Sequence, residues 1–200
     1  MTAPLYVDWD GTATVRDTLH MLIERFGDLD VFRAMEAELE RELTLDEVIT
    51  AELKTVTAPF AEVVAWLLEH VALRPGFREL VAVHDPTIVS AGFEELIAPI
   101  LAREGIAVRV VANSVVADPA GWRARFLETP LCAVCGERCK RGVIGAEGPY
   151  VYVGDGVSDR CVALGAERIF ARAGLATWLA GRGVAHEPFV DLTDVVRALG

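Results

Sequence analysis

Three short apolar runs, far apart in the chain, each stop abruptly at a polar, glycine-containing run. Leu5-Tyr6-Val7 ends in Asp8-Trp9-Asp10-Gly11-Thr12. Thr87-Ile88-Val89 ends in Ser90-Ala91-Gly92, and Tyr150–Val153 ends in Gly154-Asp155-Gly156-Val157-Ser158-Asp159. Runs this short and this apolar read as strands buried on both faces, the kind found in parallel sheets. In an open parallel sheet, ligands bind beyond the carboxyl ends of the strands. The three polar runs are therefore predicted to meet on one rim.

Between Asp17 and Val71 the period changes. Apolar residues recur three and four apart, as in Leu19, Leu22, Ile23 and Phe26, or Phe60, Val63, Val64, Leu67 and Leu68. About four amphipathic helices are predicted, with Thr44 and Glu47 as a capping box and Pro59 in a first turn. After Arg74-Pro75-Gly76, helix and strand patterns alternate. Helices are expected at Phe77–Val83, from about Phe93 to Leu101, at Asp159–Leu164, Leu175–Ala180 and Thr193–Leu199. Strands are expected at Thr87–Val89, Val108–Val111, Tyr150–Val153 and Arg168–Phe170, with Val115–Ala146 irregular and a late apolar pair at Phe189-Val190. The expected class is α/β: a Rossmann-like, doubly wound parallel sheet carrying an inserted helical cap. Residues 1–13 and 76–200 form the core, and residues 14–75 form the cap.

Hydrophobic residues make up 52% of the 200, which suffices for a packed core. The formal charge of −11, with no basic block, argues against nucleic acid or an anionic membrane as partner. No stretch has the length and apolarity of a membrane span, and Met1-Thr-Ala-Pro lacks a basic and then apolar leader. A cytoplasmic location and a small-molecule partner are expected. Oligomeric state has no sequence signature.

Asp8 and Asp10 end the same predicted strand with Trp9 between them, and Gly11 permits a sharp exit. One carboxylate can attack phosphorus while a second shuttles a proton to the leaving oxygen. Two carboxylates in one pocket call for a divalent cation, and Mg²⁺ prefers hard oxygen ligands. Asp155, just past its strand, suits direct ligation. Asp159, at a helix start, suits ligation or support of the ligands. Ser90, before a predicted helix start, offers a hydroxyl beside free amides for an anion. Each run also has a plainer reading, as a polar turn, an N-cap serine or an acidic helix cap. Their convergence at three strand ends favours chemistry.

These residues resemble the motifs of the haloacid dehalogenase superfamily. Asp8-Trp9-Asp10-Gly11-Thr12 is similar to its first motif, Ser90-Ala91-Gly92 to its second, and the run Gly154–Asp159 to its fourth. Lys140 is the match to its third, with Arg138 and Arg141 as competitors. The resemblance implies that Asp8 is the nucleophile and Asp10 the general acid/base. Gly11, Thr12, Ser90, Ala91, Gly92 and Lys140 would hold the phosphoryl group. Asp8, the backbone carbonyl of Asp10, Asp155 and Asp159 would surround Mg²⁺. An acid at Asp10 favours a phosphatase or phosphomutase within that superfamily. More narrowly, the chain resembles the phosphoserine-phosphatase-like branch. There it is similar to methionine-salvage phosphatases acting on 2-hydroxy-3-keto-5-methylthiopentenyl-1-phosphate and to phosphocholine/phosphoethanolamine phosphatases. Arg74–Leu80, Ala112-Asn113, Cys139-Lys140 and Ile169–Arg172 carry that likeness. The implied activity is hydrolysis of a small phosphomonoester through an aspartyl-phosphate on Asp8. The alternatives are a phosphomutase or phosphotransferase, or a non-catalytic protein that binds a phosphometabolite. The cap is expected to close over the substrate, hinging near Thr12–Arg16 and Ala72–Gly76.

Four cysteines remain. Cys132, Cys135 and Cys139 offer three thiolates where tetrahedral Zn²⁺ usually takes four, and Cys161 falls on a separate helix. Free thiols are the expectation from spacing alone, and structural zinc is not favoured. His20 and His70 belong to the cap and read as helical surface residues rather than ligands.

Overall fold

The computed structural model describes residues 3–39, 41–145 and 148–200. Met1 and Thr2, on which the leader reading partly rests, and Ala146, the end of the irregular segment, lie outside the described residues. The parallel strands are β1 (Leu5–Val7), β2 (Thr87–Phe93), β3 (Arg109–Val116), β5 (Val151–Gly154), β6 (Arg168–Ala171) and β7 (Glu187–Pro188). One antiparallel strand, β4 (Arg123–Arg125), closes an edge, giving the order β4-β3-β2-β1-β5-β6-β7. β1 lies between β2 and β5, pairing Val7 with Ile88 and Val153. The three polar runs therefore leave adjacent strands at the same end of the sheet.

The sheet is doubly wound. Tyr152, Val162, Ile169, Leu175 and Leu179 pack on one face, against α8 (Arg160–Ala163) and α9 (Ala173–Ala180). Val7, Ile88, Val153 and Phe170 pack on the other, with α5 (Phe77–His84), α6 (Glu94–Arg103) and α10 (Leu192–Leu199). Alternation along β5 sends Tyr152 to one face and its neighbour Val153 to the other, as strand geometry requires. A last short helix, α7 (Lys140–Ile144), lies beneath the rim.

The cap consists of α1 (Thr18–Phe26), α2 (Leu29–Glu38), α3 (Leu45–Leu53) and α4 (Phe60–His70). The predicted capping box on α3 is present: Thr44 N donates to Glu47 Oε2 (2.8 Å) and Glu47 N to Thr44 Oγ1 (3.3 Å). Pro59 is the residue before α4 rather than in its first turn. Leu22, Ile23, Leu53, Val56, Val63 and Leu67 are buried in the core cluster that also holds Val7 and Phe77, so cap and core share one apolar interior.

The segment 115–146 is not wholly irregular. β3 runs on through Asn113 and Ser114 to Val116, and β4 pairs with it through Ser114–Arg125 and Val116–Arg123. Arg123-Ala124-Arg125 carries no apolar signal because it is an edge strand, where charge discourages further pairing. β2 also outlasts its apolar run. Its register shifts between Val89 and Phe93, so Ser90-Ala91-Gly92 form a bulge, and α6 opens only at Glu94. The predicted anion site thus lies on an irregular strand end that leads, through Phe93 as N-cap, directly into α6.

Candidate active site

Asp8 leaves β1 4% exposed, and the chain then makes a wide turn. Ala13 N donates to Asp8 O (3.3 Å) and Thr14 N to Trp9 O (3.0 Å). Trp9 is fully buried and packs edge-on against Phe77, with ring centroids 6.0 Å apart. Seating that indole turns Asp8 and Asp10 toward the rim. Gly11 takes φ +72°, and a Cβ there would lie 2.4 Å from Asp155 Oδ2. Only glycine brings the first and third runs this close. Thr12 Oγ1 completes the junction by donating to Asp155 Oδ1 (3.0 Å).

The three basic residues differ in placement, with Arg141 half-buried. Arg138 is exposed, whereas Lys140 is 4% exposed and its Nζ donates to Asp8 Oδ1 and to Asp159 Oδ1 (2.6 Å). Asp159 is fully buried and fully engaged. Its Oδ1 also accepts from Tyr152 Oη (2.6 Å), and its Oδ2 accepts from the amides of Asp155 (2.8 Å) and Gly156 (2.9 Å). It thus fastens the lysine to the third turn. One oxygen from each of Asp8, Asp155 and Asp159 falls within 4.8 Å of the others. Burial, then Asp159, pushes the Asp8 carboxyl well up, and Lys140 opposes this. Burial and Asp159 likewise raise Asp155. Three carboxylates with one buried lysine leave surplus negative charge. Hard oxygen donors with that surplus fit a divalent cation such as Mg²⁺.

Asp10 faces the cap. Its Oδ1 accepts from Thr18 N (2.8 Å) and Thr18 Oγ1, tying it to the start of α1. Burial, then Asp17, pushes Asp10 up to about 7. A carboxyl titrating there can donate and accept a proton near neutrality. Ser90 Oγ accepts from Gly92 N (2.9 Å) and lies 3.5 Å from Asp10 Oδ2. A Cβ on Gly92 would come 2.8 Å from Asp10 Oδ2, so this glycine also permits a close approach.

A family model for haloacid dehalogenase-like hydrolases matches residues 5–164. This chain belongs to the haloacid dehalogenase-like hydrolases. The hydrolase is 22% identical to a 2-hydroxy-3-keto-5-methylthiopentenyl-1-phosphate phosphatase of Bacillus cereus, over 98% of this chain and 94% of that protein. It is 26% identical to the phosphatase of the same name from Geobacillus kaustophilus, with the same shares covered. In structure it is similar to a substrate-bound phosphoserine phosphatase (TM-score 0.73, 14% identity, 99% and 98% of the two chains). It is also similar to the phosphoserine phosphatase of T. onnurineus (TM-score 0.71, 18% identity, 98% and 94%). At those identities the structural likeness concerns the fold.

Beneath the cap, the hydrolase holds a cavity of about 290 Å³ reached by Asp8, Asp10, Gly92 and Asp155 from the core and by Asp17, Glu36 and Glu52 from the cap. Glu52 is 2% exposed, and among the described residues its Oε1 has no hydrogen-bond partner. Burial, then Glu36 and Asp17, pushes it up to about 8. A helical periodicity marks such a position only as core, so the sequence reading passed it over. It also passed over Arg74 as a site residue. The guanidinium of Arg74, 7% exposed, donates to the carbonyls of Gly11 (2.7 Å), Thr12 (2.8 Å), Thr14 (3.1 Å) and Val15 (3.2 Å). Arg172 Nη1 adds a bond to Gly11 O (2.8 Å). These arginines hold the loop that follows Asp8. The signal was available in Arg74-Pro75-Gly76 and Ala171-Arg172, but nothing in the sequence says what they touch. The two cap connections are themselves joined, with Val15 N bonded to Ala72 O (2.9 Å) and Arg74 N to Ala13 O (2.8 Å). Among the described residues, no helix is long and apolar enough to cross a membrane.

Proposed function

We propose that this hydrolase is a phosphatase that hydrolyses a small phosphomonoester through an aspartyl-phosphate on Asp8. The observation that carries the reading is the convergence of Asp8, Asp10, Asp155 and Lys140 on one rim under a helical cap. An Asp8 oxygen attacks phosphorus, and the ester bond breaks on the opposite side. Asp10 gives its proton to the departing alkoxide, then takes one from the water that attacks the aspartyl-phosphate, and phosphate leaves. Lys140 neutralises charge on the phosphoryl oxygens and on Asp8. The bulge at Ser90–Gly92 supplies hydroxyl and amide donors to the same oxygens. Asp8, the Asp10 carbonyl and Asp155 would hold Mg²⁺, which supplies charge neutralisation for the phosphoryl group when bound. Asp159 acts by fastening Lys140 and the Asp155 turn. The cap residues 14–75 exclude water, moving about the paired connections at 12–16 and 72–76.

The named relatives support a methionine-salvage enol phosphate as substrate. A specific observation favours a second class, phosphoesters with an ammonium group such as phosphoserine. The cap wall of the cavity presents Asp17, Glu36 and the unpartnered Glu52 oxygen beside the single imidazole of His20, a mainly acidic surface that suits a cationic or donor-rich leaving group. The test is Mg²⁺-dependent release of inorganic phosphate, first from an aryl phosphate and then across both substrate classes. Turnover abolished by Asp8→Asn in a folded protein is the expected result. An isomerised phosphoester without free phosphate would make the chain a mutase. Tight binding of phosphoesters without turnover would make it a binding protein.

A further inference from the structure

We propose that Cys132, Cys135, Cys139 and Cys161 form a tetrahedral thiolate site for one zinc ion, separate from the carboxylate site. Spacing alone supplies three ligands, and the fold supplies the fourth. α8 carries Cys161 to the hairpin before Lys140, so that the four Sγ atoms all lie within 4.8 Å of one another. Cys132 Sγ and Cys161 Sγ are 3.8 Å apart. Zinc–sulfur bonds of about 2.3 Å in a tetrahedron set sulfurs about 3.8 Å apart. Four soft sulfur ligands in that shape select zinc over the hard cation of the carboxylate site.

The backbone around Cys132 favours its thiolate. The amide of Val134 donates to Cys132 Sγ at 3.4 Å. Gly136 takes φ +78°, which reverses the chain directly after Cys135 and lets Gly136 N bond Cys132 O (2.8 Å). Donors aimed at sulfur orient metal ligands and stabilise their charge.

Among the described residues the hairpin has little packing to anchor it. From Leu131 to Arg138 every residue except Cys132 is exposed, including Leu131 at 65% and Val134 at 58%. A segment with so little buried apolar surface does not fix its own conformation, and a metal crosslink supplies what packing does not. The crosslink would lie in a useful place. Cys139 directly precedes Lys140, and Cys161 follows one residue after the Val157–Asp159 turn and Arg160, so the ion would tie together the two segments that carry the Lys140–Asp159 pair.

The test uses the whole chain, expressed in zinc-supplemented medium and purified without chelator, then dialysed against metal-free buffer containing Mg²⁺. Elemental analysis should find about one zinc per chain. A mercurial thiol reagent should release it, as read by a chromogenic zinc indicator. Cobalt uptake by the zinc-stripped protein should give the charge-transfer absorption of a tetrahedral thiolate complex. Cys135→Ser changes an exposed residue and should leave the circular dichroism intact while zinc content falls at least tenfold. Cys161→Ser should do the same to zinc. Four free thiols that take up neither zinc nor cobalt would overturn the proposal. So would iron in place of zinc, a Cys132–Cys161 disulfide in freshly purified protein, or full zinc retention in both variants. Phosphate release plays no part in these readouts, so they stand or fall apart from the phosphatase reading.

Discussion

Replacing Glu52 with Gln should stabilise this protein at pH 8 and barely at pH 5. Glu52 sits on α3 at the cavity wall, 2% exposed, with one carboxylate oxygen unpartnered and with Glu36 and Asp17 as its charged neighbours. Folding moves its pKa from the ordinary 4.5 to about 8, with burial as the leading cause. The folded chain thus retains a proton that the unfolded chain has released. Stability therefore declines as pH rises from about 4.5 to about 8 and then levels off. Confining deprotonation to the unfolded chain costs the folded state at most about 4–5 kcal/mol by pH 8, and about half of that once relaxation and water entry are allowed for. Gln is neutral at every pH and of the same shape. The variant's stability relative to wild type should therefore grow by about 2 kcal/mol between pH 5 and pH 8, or about 4–8 °C in Tm for a chain of this length. Paired thermal melts at both pH values, at fixed Mg²⁺, measure the difference. Carboxylates distant from Glu52 are common to both proteins and cancel in it, whereas its neighbours Glu36 and Asp17 contribute to the difference. A constant offset at the two pH values would refute the reasoning, since an unsatisfied amide alone produces that pattern.

Asp10→Asn keeps the backbone carbonyl at that position, so Mg²⁺ affinity by calorimetry should hold while turnover falls by about 10²–10⁴-fold. Undiminished turnover would assign the proton transfer elsewhere. Gly11→Ala places a methyl against the Asp155 carboxylate and strains a φ of +72°, so it should cost at least about 1–2 kcal/mol and weaken Mg²⁺ binding, read by urea unfolding and by metal titration. Arg74→Lys keeps the charge but removes the fork that reaches the Gly11, Thr12, Thr14 and Val15 carbonyls. A loss of about 2–3 kcal/mol in denaturant unfolding is expected, and equal stability would mean that a single ammonium suffices.

How legible each feature was in the sequence depended on the range of the physics behind it. Asp8, Asp10 and Gly11 were legible because strand period and turn chemistry act over a few residues, and the helical cap because its period persists from Asp17 to Val71. β4 was not legible. Arg123-Ala124-Arg125 gains its strand conformation from pairing with β3, not from its own composition. The extent of β2 past Val89 is likewise a property of its register with β3.

The choice among Arg138, Lys140 and Arg141 shows the same boundary. All three have the right charge and nearly the same place in the chain, and only the docking of α7 under the rim buries one of them against Asp8 and Asp159. The sequence by itself determined the α/β layering, the cap insertion and which carboxylates end the strands at the rim, because these follow from local periodicity and from residue chemistry. Tertiary structure alone decided which lysine meets which aspartate, that Glu52 is left without a partner, and that Cys161 joins three distant thiols. Those outcomes are set by long-range packing, which brings together groups whose separation along the chain carries no trace of their contact.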